Sequence, residues 1–208
     1  MSNFTAKVPL SERMADVLIS KDRWKDDEEG YLKVKYGLEI ILINVMKFAL
    51  VYGIALVTGL LLQTVTVHLS YLWLRRYSFG LHATKTLNCT LISLLMFVLA
   101  PFVFQNIPSN NWIVLGTFGF ILLNMFLFAP ADTESLPLIG EEHRKTLKRK
   151  AMIGTLILTG IALLIPFAEM KTLIMVGSLF QVISINPLTY KLLKRRYRNY
   201  EKYELISW

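Results

Sequence analysis

Residues 112–129 read WIVLGTFGFILLNMFLFA and contain no charged side chain. A helix needs about 20 predominantly apolar residues to cross the hydrocarbon core of a bilayer, so this stretch is a candidate membrane span. Further apolar stretches lie at approximately 38–61, 62–74, 87–105, 151–168 and 171–189. The stretch 62–74 reaches only about 20 Å as a helix and is expected to be tilted or re-entrant. Lipid offers no hydrogen-bond partners to the N–H and C=O groups of an irregular backbone. The pattern therefore predicts an all-α polytopic membrane protein with about six hydrophobic helical segments.

The composition supports this fold class and suggests how the chain is divided. Hydrophobic residues make up 54% of the chain and charged residues 18%, against about 45–50% and 25% in ordinary globular domains. The charges are concentrated between the apolar stretches. We therefore expect a cytoplasmic amphipathic segment at 1–36, a single membrane-embedded domain at 37–190 and a basic cytoplasmic tail at 191–208.

The N-terminal segment carries a helical pattern of its own. Leu10, Met14, Val17 and Leu18 follow one another at offsets of four, seven and eight, which places them on one face of a helix. Two interpretations are open: an amphipathic helix lying on the membrane surface, or a short solvated helix packed on the protein.

The distribution of basic residues predicts the orientation. If the chain crosses the membrane six times, every Lys and Arg except Lys47 and Lys171 lies on the side of the N-terminus, which is 21 of the 23. An excess of Lys and Arg marks the cytoplasmic side, so both termini and the segment 75–85 are predicted to be cytoplasmic. The net charge of +8 fits contacts with anionic lipid. No compact nucleic-acid-binding module is visible, so nucleic acid is not expected as a partner.

The stretch RRYSFGLHATKTLNCTL (75–91) holds the chain's single cysteine, Cys89, and one of its three histidines, His82. A cysteine at the start of a membrane helix is usually an inert apolar residue, and a histidine in a turn is usually solvated. On one straight helix the two residues would be about 10.5 Å apart along the axis, too far for contact. They can meet only if the chain folds back, which Gly80 would permit.

A helix capped by Asn88 would make the pair reactive. Asn is a favoured N-cap, and Cys89 would then be the first helical residue. The positive end of the helix dipole favours a thiolate there, and a histidine folded over the sulfur could hold or remove its proton. His82, Cys89 and His143 lack the spacing of a zinc site, so no metal is expected. His68 is interpreted as a packing residue within an apolar segment.

These residues resemble the accessory gene regulator B family, the bacterial membrane peptidases that process quorum-sensing propeptides. The match has the form R-x4-G-x-H-A-x5-C and is made by Arg75, Gly80, His82, Ala83 and Cys89. The proline-containing loop 130–150 and the order of apolar segments are also similar, so the resemblance covers essentially the whole chain. It implies a single membrane-embedded peptidase domain in a bacterial cell membrane, with its active site on the cytoplasmic side.

The resemblance also implies a mechanism and a substrate. Cys89 would be the nucleophile of a cysteine endopeptidase, His82 its general base and later acid, and Arg75, Gly80 and Asn88 supporting residues. The enzyme would cleave off the C-terminal part of a propeptide through a thioester acyl-enzyme and promote cyclisation to a thiolactone, without a cofactor. The substrate would have an amphipathic N-terminal segment and an acidic C-terminal tail. Lys148, Arg149 and Lys150 would form a basic patch that binds the tail or, alternatively, would only enforce topology.

A non-catalytic membrane carrier or scaffold for peptide export is the rival interpretation. Such a protein needs polar side chains along a path at membrane depth. Asn44, Lys47 and Asn124 are the few candidates in the apolar segments, which disfavours transport. The sequence leaves open whether the chain forms a homodimer.

Overall fold

The computed structural model describes residues 10–19, 27–82 and 86–204, and these contain helices but no strand. The first two helices are α1 (Leu10–Leu18) and α2 (Glu28–Val57), and the third is α3 (Leu61–Ser78). A composite helix follows, made of α4 (Thr86–Leu94), a π-helical turn (Leu95–Leu99) and α5 (Ala100–Phe104). The remaining helices are α6 (Asn111–Phe128), α7 (Glu141–Leu164), α8 (Ala168–Ile185), α9 (Pro187–Leu192) and α10 (Tyr200–Glu204). The all-α prediction is confirmed.

The chain forms two compact units, residues 1–54 and 55–208. In the first unit α1 confirms the predicted N-terminal helix, although residues 1–9 and 20–26 lie outside the described residues. Asp16 of α1 pairs with Lys35 of α2 at 2.5 Å. Met14, Val17 and Leu18 are 39%, 85% and 63% exposed. The apolar face of α1 is therefore open, as the membrane-surface interpretation requires.

Helices α3 and α8 lie side by side in the second unit and run in the same direction. Near their N-termini Thr66 contacts Met170, and near their C-termini Gln181 contacts Ser78. Gly177 allows the close approach, since a Cβ there would lie 2.3 Å from the carbonyl oxygen of Val67. Small residues let membrane helices pack backbone to backbone in this way.

Helix α3 is longer than the predicted segment 62–74. It has 18 residues, about 27 Å at 1.5 Å per residue. The apolar pattern ended the segment at Leu74 because Arg75 and Arg76 occupy the last turn of α3. The helix also buries a polar face, with Thr64, His68, Ser70 and Ser78 all 4% exposed or less. Protein neighbours satisfy these groups: the Thr64 hydroxyl donates to the Phe97 carbonyl of the π-helical turn at 2.6 Å.

Within the described part of the chain, four helical stretches are long and apolar enough to cross a membrane: α2, the composite helix Thr86–Phe104, α6 and α8. This supports a multi-pass membrane protein. Helices α3 and α7 correspond to the other two predicted segments and are more polar. Helix α7 begins with the charged run Glu141–Lys150, and α3 carries two arginines in its last turn. The predicted number of six therefore rests on two helices that composition alone does not support.

The second unit has two chemically different ends. At one end the Ser109 N–H donates to the Ala168 carbonyl at 3.1 Å, joining the turn before α6 to the turn before α8. At the other end lie the C-terminus of α3, the segment 129–140 and helices α9 and α10. Of the Lys and Arg that the structure describes between residues 55 and 204, all except Lys171 belong to segments at that second end. The arrangement agrees with the charge pattern, and the cytoplasmic location of this end stays a prediction.

Candidate active site

The structure brings His82 and Cys89 together at the basic end of the second unit. The His82 Nε2 atom lies 3.8 Å from the Cys89 Sγ atom. His82 is exposed and Cys89 is half-buried, so both groups can be reached from outside the protein. A sulfur and an imidazole nitrogen at this distance can exchange a proton after a small adjustment.

Helix α4 places the cysteine, although not through the predicted cap. The helix begins at Thr86, so Asn88 lies inside its first turn and does not cap it, and Cys89 is the fourth helical residue rather than the first. The polar residues Thr86 and Asn88 are compatible with a first turn, which lets the helix start earlier than an Asn cap implies. Helical Cβ atoms tilt toward the N-terminus. The sulfur therefore still lies over the first turn, where the helix dipole favours negative charge.

The chain folds back between α3 and α4 through two residues with positive φ. Phe79 has φ 54° and Gly80 has φ 106°, a combination that reverses the chain direction at the end of α3. A Cβ atom at position 80 would lie 2.7 Å from the Ser184 carbonyl oxygen. Gly80 is therefore required both for its backbone angles and for its contact with α8. Ala83 of the motif lies outside the described residues.

Arg75 holds the reversed segment by its backbone. Its guanidinium donates to the carbonyl oxygens of Phe79 at 3.5 Å, Gly80 at 3.4 Å and Leu81 at 3.1 Å. A planar guanidinium presents several donors in a fixed fork and so suits a row of carbonyls. Arg75 thus contacts the loop that carries His82, in keeping with a supporting role.

Helix α8 provides a second set of contacts that the sequence did not predict. Gln181, which is fully buried, donates to the Ser78 hydroxyl at 2.7 Å and to the Phe79 carbonyl at 2.5 Å. The Leu81 N–H donates to the Ser184 carbonyl at 2.9 Å. An amide inside the apolar segment 171–189 was the signal that could have identified Gln181, since polar groups at membrane depth mark functional positions.

The segment 129–132 provides the third set. The Gly80 N–H donates to the Ala131 carbonyl at 2.8 Å, and the Ala131 N–H donates to the Ser78 carbonyl at 3.0 Å. The two backbones pair like adjacent parallel strands around Phe79. The loop bearing His82 is thus fixed by α3, by α8 and by a segment about fifty residues further along the chain.

The predicted basic patch is divided by the geometry of α7. Successive helical residues are about 100° apart around the axis. The Lys148 ammonium lies 4.5 Å from the centre of the Phe126 ring, and the Lys150 ammonium lies 5.8 Å from that of the Tyr77 ring, while Arg149 is exposed. Lys148 and Lys150 therefore face different aromatic rings, and substrate binding by the three residues stays a prediction.

Lys148 instead lines a cavity of about 340 Å³ with other basic side chains. The cavity wall includes the backbone segment 127–132, and its cationic residues are Arg144, Lys145, Lys148 and Arg198. Arg144 also binds Glu204 of α10 at 2.6 Å. Its guanidinium and the Gly140 N–H hold the pKa of that carboxyl below the ordinary value. Sequence reasoning missed Arg198 because that residue is brought to the cavity only by folding.

The other histidines do not join the site. His68 is 3% exposed, and its ring centre lies 4.2 Å from that of Phe97, as expected for a packing residue. Among the described residues, no three His, Cys, Asp or Glu side chains are grouped so that they could hold a metal ion.

Comparisons with known proteins agree with the motif on which this site is built. The family model described as accessory gene regulator B matches residues 11–185. A protein of Listeria monocytogenes serotype 4a (strain HCC23) named AgrB-like is 98% identical over 204 residues, covering 98% of this chain and all of its own length. An AgrB-like protein of Clostridium acetobutylicum is 40% identical over 95% of this chain and 96% of its own length.

A more distant relative carries the family name directly. Accessory gene regulator protein B of Staphylococcus carnosus is 38% identical over 68% of this chain and 71% of its own length. No solved structure matches the chain. From the extent of the family match and the identity to these relatives, the chain belongs to the accessory gene regulator B family.

Proposed function

We propose that the protein is a membrane-embedded cysteine endopeptidase that matures a quorum-sensing propeptide. Its family takes part in accessory gene regulator quorum sensing and in the processing of quorum-sensing peptides. The observation that carries the proposal is the 3.8 Å separation of His82 Nε2 and Cys89 Sγ. A histidine adjacent to a thiol at the start of a helix is the arrangement that activates a cysteine nucleophile.

The first half-reaction produces a thioester. His82 takes the thiol proton, and the Cys89 sulfur attacks the carbonyl carbon of the scissile peptide bond. The protonated imidazole then gives its proton to the leaving nitrogen as the carbon–nitrogen bond breaks. The C-terminal part of the propeptide leaves with a free amino group, and the N-terminal part stays attached to Cys89.

The second half-reaction transfers the acyl group to a cysteine of the peptide itself. The peptide thiol loses its proton to His82 and attacks the thioester carbonyl, and the Cys89 sulfur leaves and regains a proton. One thioester replaces another, so the step is close to balanced in free energy, whereas hydrolysis would discard the activated group. Because the attacking thiol is in the same chain as the acyl carbon, its effective concentration is high. The product is a cyclic thiolactone.

The cavity beside α7 is the site we assign to the acidic tail of the substrate. The cavity is lined by four cationic side chains and by the carboxylates of Asp132 and Glu141. Arg144, Lys145 and Arg198 already pair with acidic residues of the protein, so Lys148 is the cation that we assign to the carboxylates of the tail. The cavity wall includes Ala131, whose backbone pairs with Gly80 of the catalytic loop, so a tail bound there would lie close to the loop that carries His82. The membrane surface would hold the amphipathic part of the substrate, with anionic lipid near the basic residues. Attachment at two points raises the local concentration at Cys89 without tight contacts.

Co-expression with a propeptide tests the proposal. The chain is produced with a short peptide that has an amphipathic N-terminal segment, a central cysteine and an acidic C-terminal tail. Replacing Cys89 by Ser or His82 by Ala is expected to abolish cleavage while membrane insertion stays normal. Thr90→Ala, one residue after the nucleophile, is the matched control and is expected to keep cleaving. Undiminished cleavage by both site variants would contradict the peptidase assignment, and peptide export that does not depend on Cys89 would favour a carrier.

A further inference from the structure

Asp132 is a buried carboxylate outside the residues of the family motif. It is 3% exposed, and its two oxygens accept hydrogen bonds from different backbone groups. The Asn199 N–H donates to Oδ1 at 2.8 Å, and the Tyr200 N–H donates to Oδ2 at 2.7 Å. A buried carboxylate is stable only when its oxygens are satisfied in this way. Asp132 therefore fastens the chain just before α10 to the segment 129–132.

The backbone of Asp132 is held from the same direction. The Tyr190 hydroxyl of α9 donates to the Asp132 carbonyl at 2.7 Å. Burial, together with the nearby Asp132 carboxylate, raises the pKa of Tyr190 well above its ordinary value, so the phenol keeps the proton that it donates. Asn199 is itself fixed, since its side chain donates to the Arg196 carbonyl at 2.8 Å. Residues 199 and 200 of the predicted basic tail are thus held to the segment 129–132 through Asp132.

A short path of hydrogen bonds leads from Asp132 to His82. The preceding residue, Ala131, accepts from the Gly80 N–H at 2.8 Å and donates to the Ser78 carbonyl at 3.0 Å. Gly80 is two residues before His82. A shift of Asp132 is therefore transmitted to the catalytic loop through backbone groups that are already paired.

We propose that Asp132 is a positioning residue, which ties the C-terminal segment to the loop of His82 and so sets the distance between His82 and Cys89. This inference rests on the proposed function, because the distance matters only if the two residues react together. Asp132 does not contact the reacting atoms. Its effect is on the fraction of molecules in which the imidazole lies beside the sulfur.

The pH profile of Cys89 alkylation tests the inference directly. Cys89 is the only cysteine, so the rate of iodoacetamide labelling of the full chain in membrane vesicles reports on it alone. In the wild-type protein the imidazole lies 3.8 Å from the sulfur, where it can take the thiol proton. In His82→Ala we expect labelling at pH 7 to be at least tenfold slower, while the plateau at high pH, where every thiol is ionised, stays the same.

Asp132→Asn is the decisive variant. It preserves volume, but its Nδ2 group would face a backbone N–H, so one hydrogen bond is lost and two donors meet. We expect labelling at pH 7 to be about fivefold slower than wild type with an unchanged plateau. Glu134→Gln is the matched control, since that carboxylate is 56% exposed and contacts Arg195 at 3.5 Å. Tyr190→Phe removes only the bond to the Asp132 carbonyl and is expected to give a smaller shift of the same sign.

The outcomes separate this inference from the proposed function. A wild-type pH profile in both Asp132→Asn and Tyr190→Phe, with a shifted profile in His82→Ala, would overturn the positioning role and leave the reactive pair standing. A wild-type profile in His82→Ala would contradict the pair itself. If Asp132→Asn fails to insert into the membrane, Tyr190→Phe still decides the question. A general loosening of the fold would instead raise the plateau, because it exposes the thiol.

Discussion

Replacing Gly80 by Ala should disable the site through backbone geometry alone. The new Cβ atom would lie 2.7 Å from the Ser184 carbonyl oxygen, whereas ordinary contact begins at 3.4 Å. The loop must therefore retreat from α8 by about 0.7 Å, the difference between those two distances. The same movement stretches the bond from the Leu81 N–H to that oxygen from 2.9 Å to about 3.6 Å, beyond hydrogen-bond range.

The free-energy cost follows from these two effects. The lost hydrogen bond contributes about 1 kcal/mol, and an alanine held at φ 106° adds about 1–3 kcal/mol of backbone strain. The total of about 2–4 kcal/mol lowers the population of the folded-back loop by roughly 30- to 900-fold, at about 1.36 kcal/mol per factor of ten. We expect propeptide cleavage to fall by at least 30-fold.

Cleavage of co-expressed propeptide in membrane vesicles is the assay, with the amount of inserted protein measured in parallel. Gly59→Ala is the matched control, because Gly59 also has positive φ, at 72°, but a Cβ there meets nothing within 4 Å. That variant takes on the strain without the collision and is expected to cleave within about twofold of wild type. If Gly80→Ala kept more than a third of the wild-type cleavage rate, the proposed coupling between loop geometry and catalysis would be wrong.

Three further predictions concern the charged residues. Arg75→Lys replaces the guanidinium by a single ammonium group and loses hydrogen bonds to the loop carbonyls worth about 1–2 kcal/mol, so cleavage should slow by roughly 5- to 30-fold. Arg76→Lys, on the exposed side of the same turn, should leave the rate unchanged. Lys148→Glu should raise the KM for a propeptide with an acidic tail about five- to tenfold with little change in kcat, since an ion pair of about 1 kcal/mol is lost. Arg149→Glu, at an exposed position, should leave both KM and kcat unchanged. Equal effects of the two variants would contradict the cavity assignment. The pKa of Glu204 is lowered in the folded protein, so its contribution to the docking of α10 is fully present above the ordinary value of 4.5 and is lost as the pH falls through the lower folded value. The protection of the α10 amides against hydrogen exchange should therefore stay constant between pH 5 and 8 and fall only below that range. Glu204→Gln should lower this protection at every pH.

The sequence predicted the proximity of His82 and Cys89 better than it predicted the surroundings of these two residues. The motif identified His82 and Cys89, and the need for a reversal at Gly80 followed from their spacing. The cap at Asn88 was wrong, because α4 already begins at Thr86 and Asn88 lies inside its first turn. Helix boundaries depend on small local differences of this kind and are the least predictable part of a fold.

Membrane character and the segregation of charge were determined by the sequence alone. The free energy of moving a side chain into lipid depends on that side chain alone: it is favourable for apolar residues and unfavourable for Lys and Arg. The apolar stretch 112–129 and the basic segments could therefore be interpreted without knowledge of the fold. Only the tertiary structure decided what holds the catalytic loop in place. Gln181 and Asp132 are about 100 and 50 residues from His82 in the chain. Lys148 and Arg149 are neighbours in the chain, but they point in different directions around the axis of α7. Such contacts depend on how helices pack against one another, which no local pattern of hydrophobicity or charge contains.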